Sequence, residues 1–288
     1  PIWAMGLQLA REGLTAKEIN DTIQVHQDNH MPLDAFWADT EMNENYRTFT
    51  VNHNSFDKIK EIVTRMHSTT AGVDLHFVAI ANPALVKDQG YKYYLEAVKE
   101  KCLVQGAAEF DTVYEGQTLA GISVWLDFFL RSAVLVWAGG LHDLHELTSF
   151  DGIWISENEI TQICSGYCYS PESDADEEYK IPNPFHNRSE FDYIPYRPTL
   201  DPLETETLPM SAFHAGDERY HKQYFTHNLY GLQIAQATHE ALYGIFEDKR
   251  FLIASRSSWP GSGQFSSHWL DGNYASWESM ANSIPSIL

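Results

Sequence analysis

The residues able to do chemistry in this sequence gather just behind short apolar runs. Trp37 and Asp39 close the run Leu33-Asp-Ala-Phe-Trp37, and Asn82 follows Leu75-His-Phe-Val-Ala-Ile80. Ser156, Glu157, Asn158 and Glu159 follow Gly152-Ile-Trp-Ile155, Ser255 and Arg256 follow Phe251-Leu-Ile-Ala254, and His268, Trp269 and Asp271 form the last cluster. Carboxylates set beside aromatic walls suit a carbohydrate, which offers hydroxyls to the first and apolar ring faces to the second. For any single residue the plainer alternative is a helix cap or a turn, since Ser, Asn and Asp favour both.

Two other groupings carry less. His142-Asp-Leu-His145-Glu146 sets imidazoles at i and i+3 on a possible helix, but no third ligand joins them at a recognisable spacing. A solvated helix face is the expectation there and at His26 and His30, so these histidines are not expected to hold a metal. Gly261-Ser-Gly263 is too short for a phosphate loop and reads as a turn.

The elements that position the strand-end residues alternate. Trp3 to Leu9 reads as a short strand, and Thr15 with Glu18 forms a capping box before Ile19 and Ile23 recur at helical spacing. Leu33 to Trp37 reads as the next strand. Phe56, Ile59, Ile62, Val63 and Met66 then make a helical stripe before the buried strand Leu75 to Ile80. Residues 165–215 hold seven prolines and an acidic run, and read as an irregular insertion. Strands alternating with helices imply a parallel sheet with its site at the strands' carboxyl ends, and periodicity leaves a closed barrel and an open sheet both possible.

With 40 acidic and 19 basic residues the formal charge is −21, which repels nucleic acid and anionic membranes. No apolar run reaches the roughly 20 residues of a membrane span. Cys164 and Cys168 are close enough to bridge, leaving Cys102, and Asn20-Asp-Thr and Asn187-Arg-Ser are glycosylation sequons. These features favour a secretory route: secreted, cell-surface, or vacuolar and lysosomal.

At the strand ends the pattern becomes specific. Trp3-Ala-Met-Gly-Leu, Pro32-Leu-Asp-Ala-Phe-Trp-Ala-Asp39 and Phe150-Asp-Gly-Ile-Trp-Ile155 with Asn158 and Glu159 resemble motifs of the α-glucosidases of glycoside hydrolase family 31. So do His227-Asn-Leu-Tyr-Gly231, Ser255-Arg-Ser257 and the segment from His268-Trp269 to Ala275-Ser-Trp277, in family order. The cysteine pair after Glu159 resembles the secreted fungal branch, where a small disulfide loop follows the nucleophile motif. The resemblance implies a (β/α)8 TIM-barrel-type domain, incomplete after about six strands. It also implies retaining hydrolysis of α-glucosides or maltooligosaccharides without a cofactor, and a remainder of the barrel supplied by further chain or a partner. It places Asp39, Asn82, Trp125, Arg256, His268 and Trp269 in the first sugar subsite.

Retaining hydrolysis needs two carboxyl groups across one bond, about 5 Å apart. The family's nucleophile position holds Ser156 here, the acid position holds Gly272 behind Asp271, and Asn82 replaces a third-strand Asp. Three readings follow. A pseudoenzyme keeps a glucose subsite; an active enzyme uses Asp271 with Glu157 or Glu159; a structural partner has its pocket filled. The first needs an open aromatic pocket, the second a facing carboxylate pair, and the third an occluded pocket.

Overall fold

A computed structural model of the chain describes residues 1–68, 74–106, 112–168, 191–192, 194–196, 201–216, 219–270 and 274–287. In chain order its elements are β1 (Gln8–Ala10), α1 (Ala16–Asp28), β2 (Ala35–Trp37), α2 (Ile59–Met66), β3 (His76–Ala81), β4 (Ala84–Val86), α3 (Lys92–Lys99), β5 (Gly116–Thr118) and β6 (Gly121–Trp125). They continue with α4 (Arg131–Thr148), β7 (Gly152–Ile155), β8 (Phe213–Gly216), β9 (Arg219–Lys222), α5 (Gln223–Phe246), β10 (Leu252–Ser255), β11 (Ser267–His268) and α6 (Trp277–Ile287).

Six strands join in the order β1-β2-β3-β7-β10-β11, each pair parallel. The sheet is a half-barrel with helical crossovers, in keeping with an incomplete (β/α)8 barrel. Helices cover one face and barrel-interior side chains the other, so Val78, Ala79, Ile80 and Ala81 are all buried and β3 reads as a continuous apolar run. β4, β5 and β6 form a separate antiparallel sheet between β3 and α4, and β8 pairs antiparallel with β9.

The helices follow their sequence signals. Thr15 caps α1 with Glu18 reciprocating, and Ile19 and Ile23 face inward. Along α4, Ala133, Val136, Trp137, Gly140, Leu141 and Leu144 form the buried stripe. Gly140 lets the Phe49 ring lie against the helix, since a Cβ there would sit 2.4 Å from it. Trp137 donates its indole N–H to Thr238 at 2.9 Å and fastens α4 to α5.

The segment Trp3 to Leu9 differs from expectation. Ile2–Met5 form a 3₁₀ turn, and the strand begins only at Gln8. Asp34 accounts for the delay: its carboxylate accepts the Leu7 N–H at 2.8 Å in place of a backbone carbonyl, and the parallel register starts with Gln8 opposite Ala35. The helical stripe from Phe56 likewise enters regular helix only at Ile59, after a turn in which Phe56 donates to Asn52. Part of the 165–215 insertion is described, and its last residues belong to β8.

Candidate functional site

The sheet register sets three polar residues abreast. Ala81 pairs with Ile155, and Ile155 with Ser255, so Asn82, Ser156 and Arg256 each stand one residue beyond the same rung. Ser156 is nearly buried, and its N–H donates to the Ala81 carbonyl at 3.0 Å, so the sheet pairing extends through the central position.

The chain turns sharply there. Glu157 has φ of +52°, in the left-handed region that costs a non-glycine residue about 1–2 kcal/mol. The turn separates the side chains that follow. The Asn82 carboxamide donates to the Glu157 carboxylate, and its own oxygen accepts the Ala84 N–H at 2.8 Å. Arg256 forms an ion pair with Glu159, whose other oxygen, Oε2, is buried without a hydrogen-bond partner. Asn158 is fully buried, donates to the Ser255 hydroxyl at 2.6 Å and accepts the Ser257 N–H at 3.0 Å. It therefore ties the turn after β7 to the turn after β10.

An aromatic file borders this end of the sheet. Trp154 lies with its ring 6.4 Å from Trp37 and 4.5 Å from Trp269, the latter pair edge-to-face. The Trp154 indole N–H is buried and unpartnered. Trp269 is held by its N–H, which donates to the Ser255 carbonyl at 2.9 Å, and His268 beside it is exposed. Trp37, His268 and Trp269 border a groove of about 670 Å³ that runs down β10 past Phe251 to Arg250. That groove extends toward the opposite end of the sheet and does not include Asp39, Asn82, Ser156 or Arg256.

The other expected site residues fall in varied places. The Asp39 carboxylate accepts the Thr40 N–H at 2.7 Å and caps a short turn. Trp125 is wholly buried at the end of β6 with its ring against Tyr114 and beneath Gly116, so it faces the core and offers no surface to a sugar. Asp271, Gly272 and Asn187 lie outside the described residues. Asn20 is on α1, its side-chain oxygen accepting from Arg65 at 2.8 Å. Cys164 and Cys168 are joined by a disulfide, and Cys102 is free and buried.

Of the histidines weighed from sequence, His142 stands exposed beside Asp143, and His145 packs edge-on between Phe150 and Phe246. His26 contacts the Thr22 carbonyl within α1. Sequence reasoning missed a buried network in which Asp127 accepts the Ala215 N–H at 2.6 Å and faces His214 Nδ1 at 3.0 Å. His214 Nε2 in turn faces Gln223 at 2.6 Å, so the network fixes the β8–β9 hairpin to the ends of β6 and α5. It also missed a group made of His67, His76 and Asp151 at the amino end of the sheet. Residues so far apart in the chain leave no local spacing to read.

The chain matches, over residues 1–288, the family described as the glycosyl hydrolases family 31 TIM-barrel domain. The chain belongs to family 31. Among its curated relatives it is 26% identical to alpha-xylosidase 1 of Arabidopsis thaliana over 307 residues, covering 100% of this chain and 32% of that protein. It is 29% identical to the intestinal sucrase-isomaltase of Suncus murinus over 294 residues, covering 99% of this chain and 15% of that protein. The chain thus spans about a third or less of these relatives. Among solved structures, the glucosidase II alpha subunit bound to alpha3-Glc2 superposes with a TM-score of 0.75 at 19% identity, covering 96% of this chain and 26% of that one. The fold and the α-glucosidase-like character of the domain rest on these matches. Among the described residues no helix is long and apolar enough to cross a membrane.

Proposed function

We propose that this family 31 domain binds α-linked glucosides or maltooligosaccharides in a remnant of the glucose subsite and has lost most or all hydrolysis. One observation carries the reading. The central strand-end position holds the Ser156 hydroxyl, and the two carboxylates that follow it are engaged, Glu157 by Asn82 and Glu159 by Arg256.

A serine hydroxyl without an adjacent base is a poor nucleophile and does not stabilise an oxocarbenium-like transition state. Glu159 would have to leave a guanidinium to act, and Glu157 would have to leave a carboxamide while standing on a left-handed turn. Trp37 and Trp269 border open space, which favours binding over a purely structural role, although that groove leaves Asp39, Asn82, Ser156 and Arg256 aside. The Cys164–Cys168 bridge and the family's intestinal relative support a secretory location. The exposed apolar side chains of α6, among them Trp277, Met280 and Ile284, support a need for further protein against this face, from a longer chain or a partner.

Two measurements on the full-length protein test the proposal: hydrolysis of a chromogenic α-glucoside and calorimetric titration with maltose. Background hydrolysis with saturable maltose binding supports it. Turnover that Glu157→Gln, Glu159→Gln or Asp271→Asn abolishes would show the displaced carboxylates to be catalytic, and an absence of both activities would favour a structural role.

A further inference from the structure

Three side chains distant in sequence meet below the amino end of the parallel sheet, opposite the sugar site. His67 follows the last turn of α2, His76 is the first residue of β3, and Asp151 precedes β7. His67 Nε2 lies 2.7 Å from Asp151 Oδ2, and His76 Nδ1 lies 3.5 Å from Asp151 Oδ1. One ligand atom from each falls within 4.8 Å of the others. We infer that His67, His76 and Asp151 form a binding site for a divalent transition-metal ion of the zinc type.

The first support is His76. Its Nδ1 is buried and lacks a hydrogen-bond partner, although it points at a carboxylate oxygen. On the other side of the ring, Nε2 faces Asp74 Oδ2 at 3.9 Å. In the tautomer with its proton on Nε2, the Nδ1 lone pair faces the lone pairs of Asp151 Oδ1. Two lone pairs repel, and a cation between them reverses the sign.

Asp74 adds a negative charge behind the non-ligating nitrogen, too far for a hydrogen bond but of the sign that favours a bound cation. The ring is further held by Trp3, stacked on it with centroids 4.4 Å apart and planes 18° apart. The Phe77 N–H donates to Asp151 Oδ2 at 2.8 Å, fixing one oxygen and leaving Oδ1 toward the cluster.

Two imidazoles and one carboxylate are a zinc donor set, with water or another ligand in the fourth tetrahedral place. Metal–ligand bonds of about 2 Å put neighbouring donor atoms roughly 3–3.5 Å apart, within the span of distances already present. The ion would join α2, β3 and β7 at a point where His67, His76 and Asp151 otherwise meet through His–carboxylate contacts. It would also place positive charge in a chain of formal charge −21. Lys249 is the cation whose field acts against it at His67.

The test uses the full-length protein, stripped with chelator and titrated with Zn(II) in competition with a chromogenic chelator. One ion per site bound tightly, a raised melting temperature on binding, and a tetrahedral d–d spectrum with Co(II) are expected. His76→Phe keeps the stack on Trp3, removes both nitrogens, and should abolish this binding while the metal-free melt stays near that of the parent. His76→Gln serves as a second variant should the phenylalanine not be accommodated. Asp74→Asn, which removes a negative charge 3.9 Å from Nε2, should weaken binding less than either His76 variant. His142→Ala, which removes an exposed histidine elsewhere, should change nothing. Absence of stoichiometric Zn(II) binding, or binding that survives both His76 variants, would overturn the site.

Discussion

At the carboxyl ends of β3, β7 and β10 the polar side chains pair off across neighbouring strands, whereas at the amino ends of β3 and β7 two imidazoles share one carboxylate. Around Ser156, Asn82 holds Glu157, Arg256 holds Glu159, and Asn158 bridges to Ser255 and Ser257. Around Asp151, two imidazoles face one carboxylate and one ring nitrogen has no partner. On the reading proposed above, the carboxyl end keeps the support of a family site without its reacting groups. The amino end has reactive donors in a place where this fold carries no reaction. On that reading, position in a fold and chemical competence are separable.

If the carboxyl end lacks only its reacting groups, restoring them should have the largest effect of any change. Ser156→Asp combined with Asp271→Gly and Gly272→Asp rebuilds the pattern that the family resemblance implies. It should raise α-glucoside hydrolysis at least about 10³-fold over the parent, while Ser156→Asp alone gives far less, because paired groups act as a unit. Initial rates on a chromogenic α-glucoside measure this. A parent already as fast as the triple variant would erase the contrast between the two ends.

The support itself is the next thing to break. Asn158→Ala removes a buried carboxamide and strands the Ser257 N–H, so it should destabilise the protein by about 2–3 kcal/mol. Gly231→Ala should act on the same turn from α5, since its Cβ would lie 2.4 Å from the Ser257 hydroxyl and 3.1 Å from the Ser257 carbonyl. An overpacking cost of about 1–3 kcal/mol is expected there, with weaker maltose binding as Arg256 is displaced. Denaturant unfolding followed by maltose titration reads both. A neutral outcome for Asn158→Ala would mean that the bridge under Ser156 does not support the site.

How much of this was legible in the sequence depends on the range of the interactions. The capping box at Thr15 and the strand Gly152–Ile155 are local patterns, and both were readable from neighbours a few residues away. The convergence of Asn82, Ser156 and Arg256 was readable because a parallel sheet brings strand ends together whatever their separation. The antiparallel sheet of β4, β5 and β6 went unread, since its strands are 3 to 5 residues long and their partners set their register. Trp125 shows the limit of reading by position: the family resemblance put it at the sugar, and Tyr114 and Gly116 enclose it in the core. The group at Asp151 had no signature either, because its members come from three separate elements.

The smallest expected effect lies at the amino end and concerns protons. His145 sits edge-on to Phe150 and Phe246, with ring centroids 5.1 and 5.2 Å away, and burial pushes its pKa below the ordinary imidazole value. Glu146 and Asp151 pull the other way, while His142 and Lys60 add to the lowering. A lowered folded-state value means that the unfolded chain takes up the proton more readily. His145 therefore favours the folded state above the unfolded imidazole pKa of about 6.5, and that contribution is lost as pH falls toward the folded value. His145→Phe keeps an aromatic ring between the two phenylalanines and removes the proton. Relative to the parent, the variant should gain melting temperature between about pH 7.5 and pH 5, by less than about 4 °C. Every other titrating group is common to the two proteins, so the difference between their pH curves isolates this ring. Parallel curves would mean that His145 is solvated in the folded protein. A gap that opens in the opposite direction would mean that Glu146 and Asp151 outweigh burial at His145.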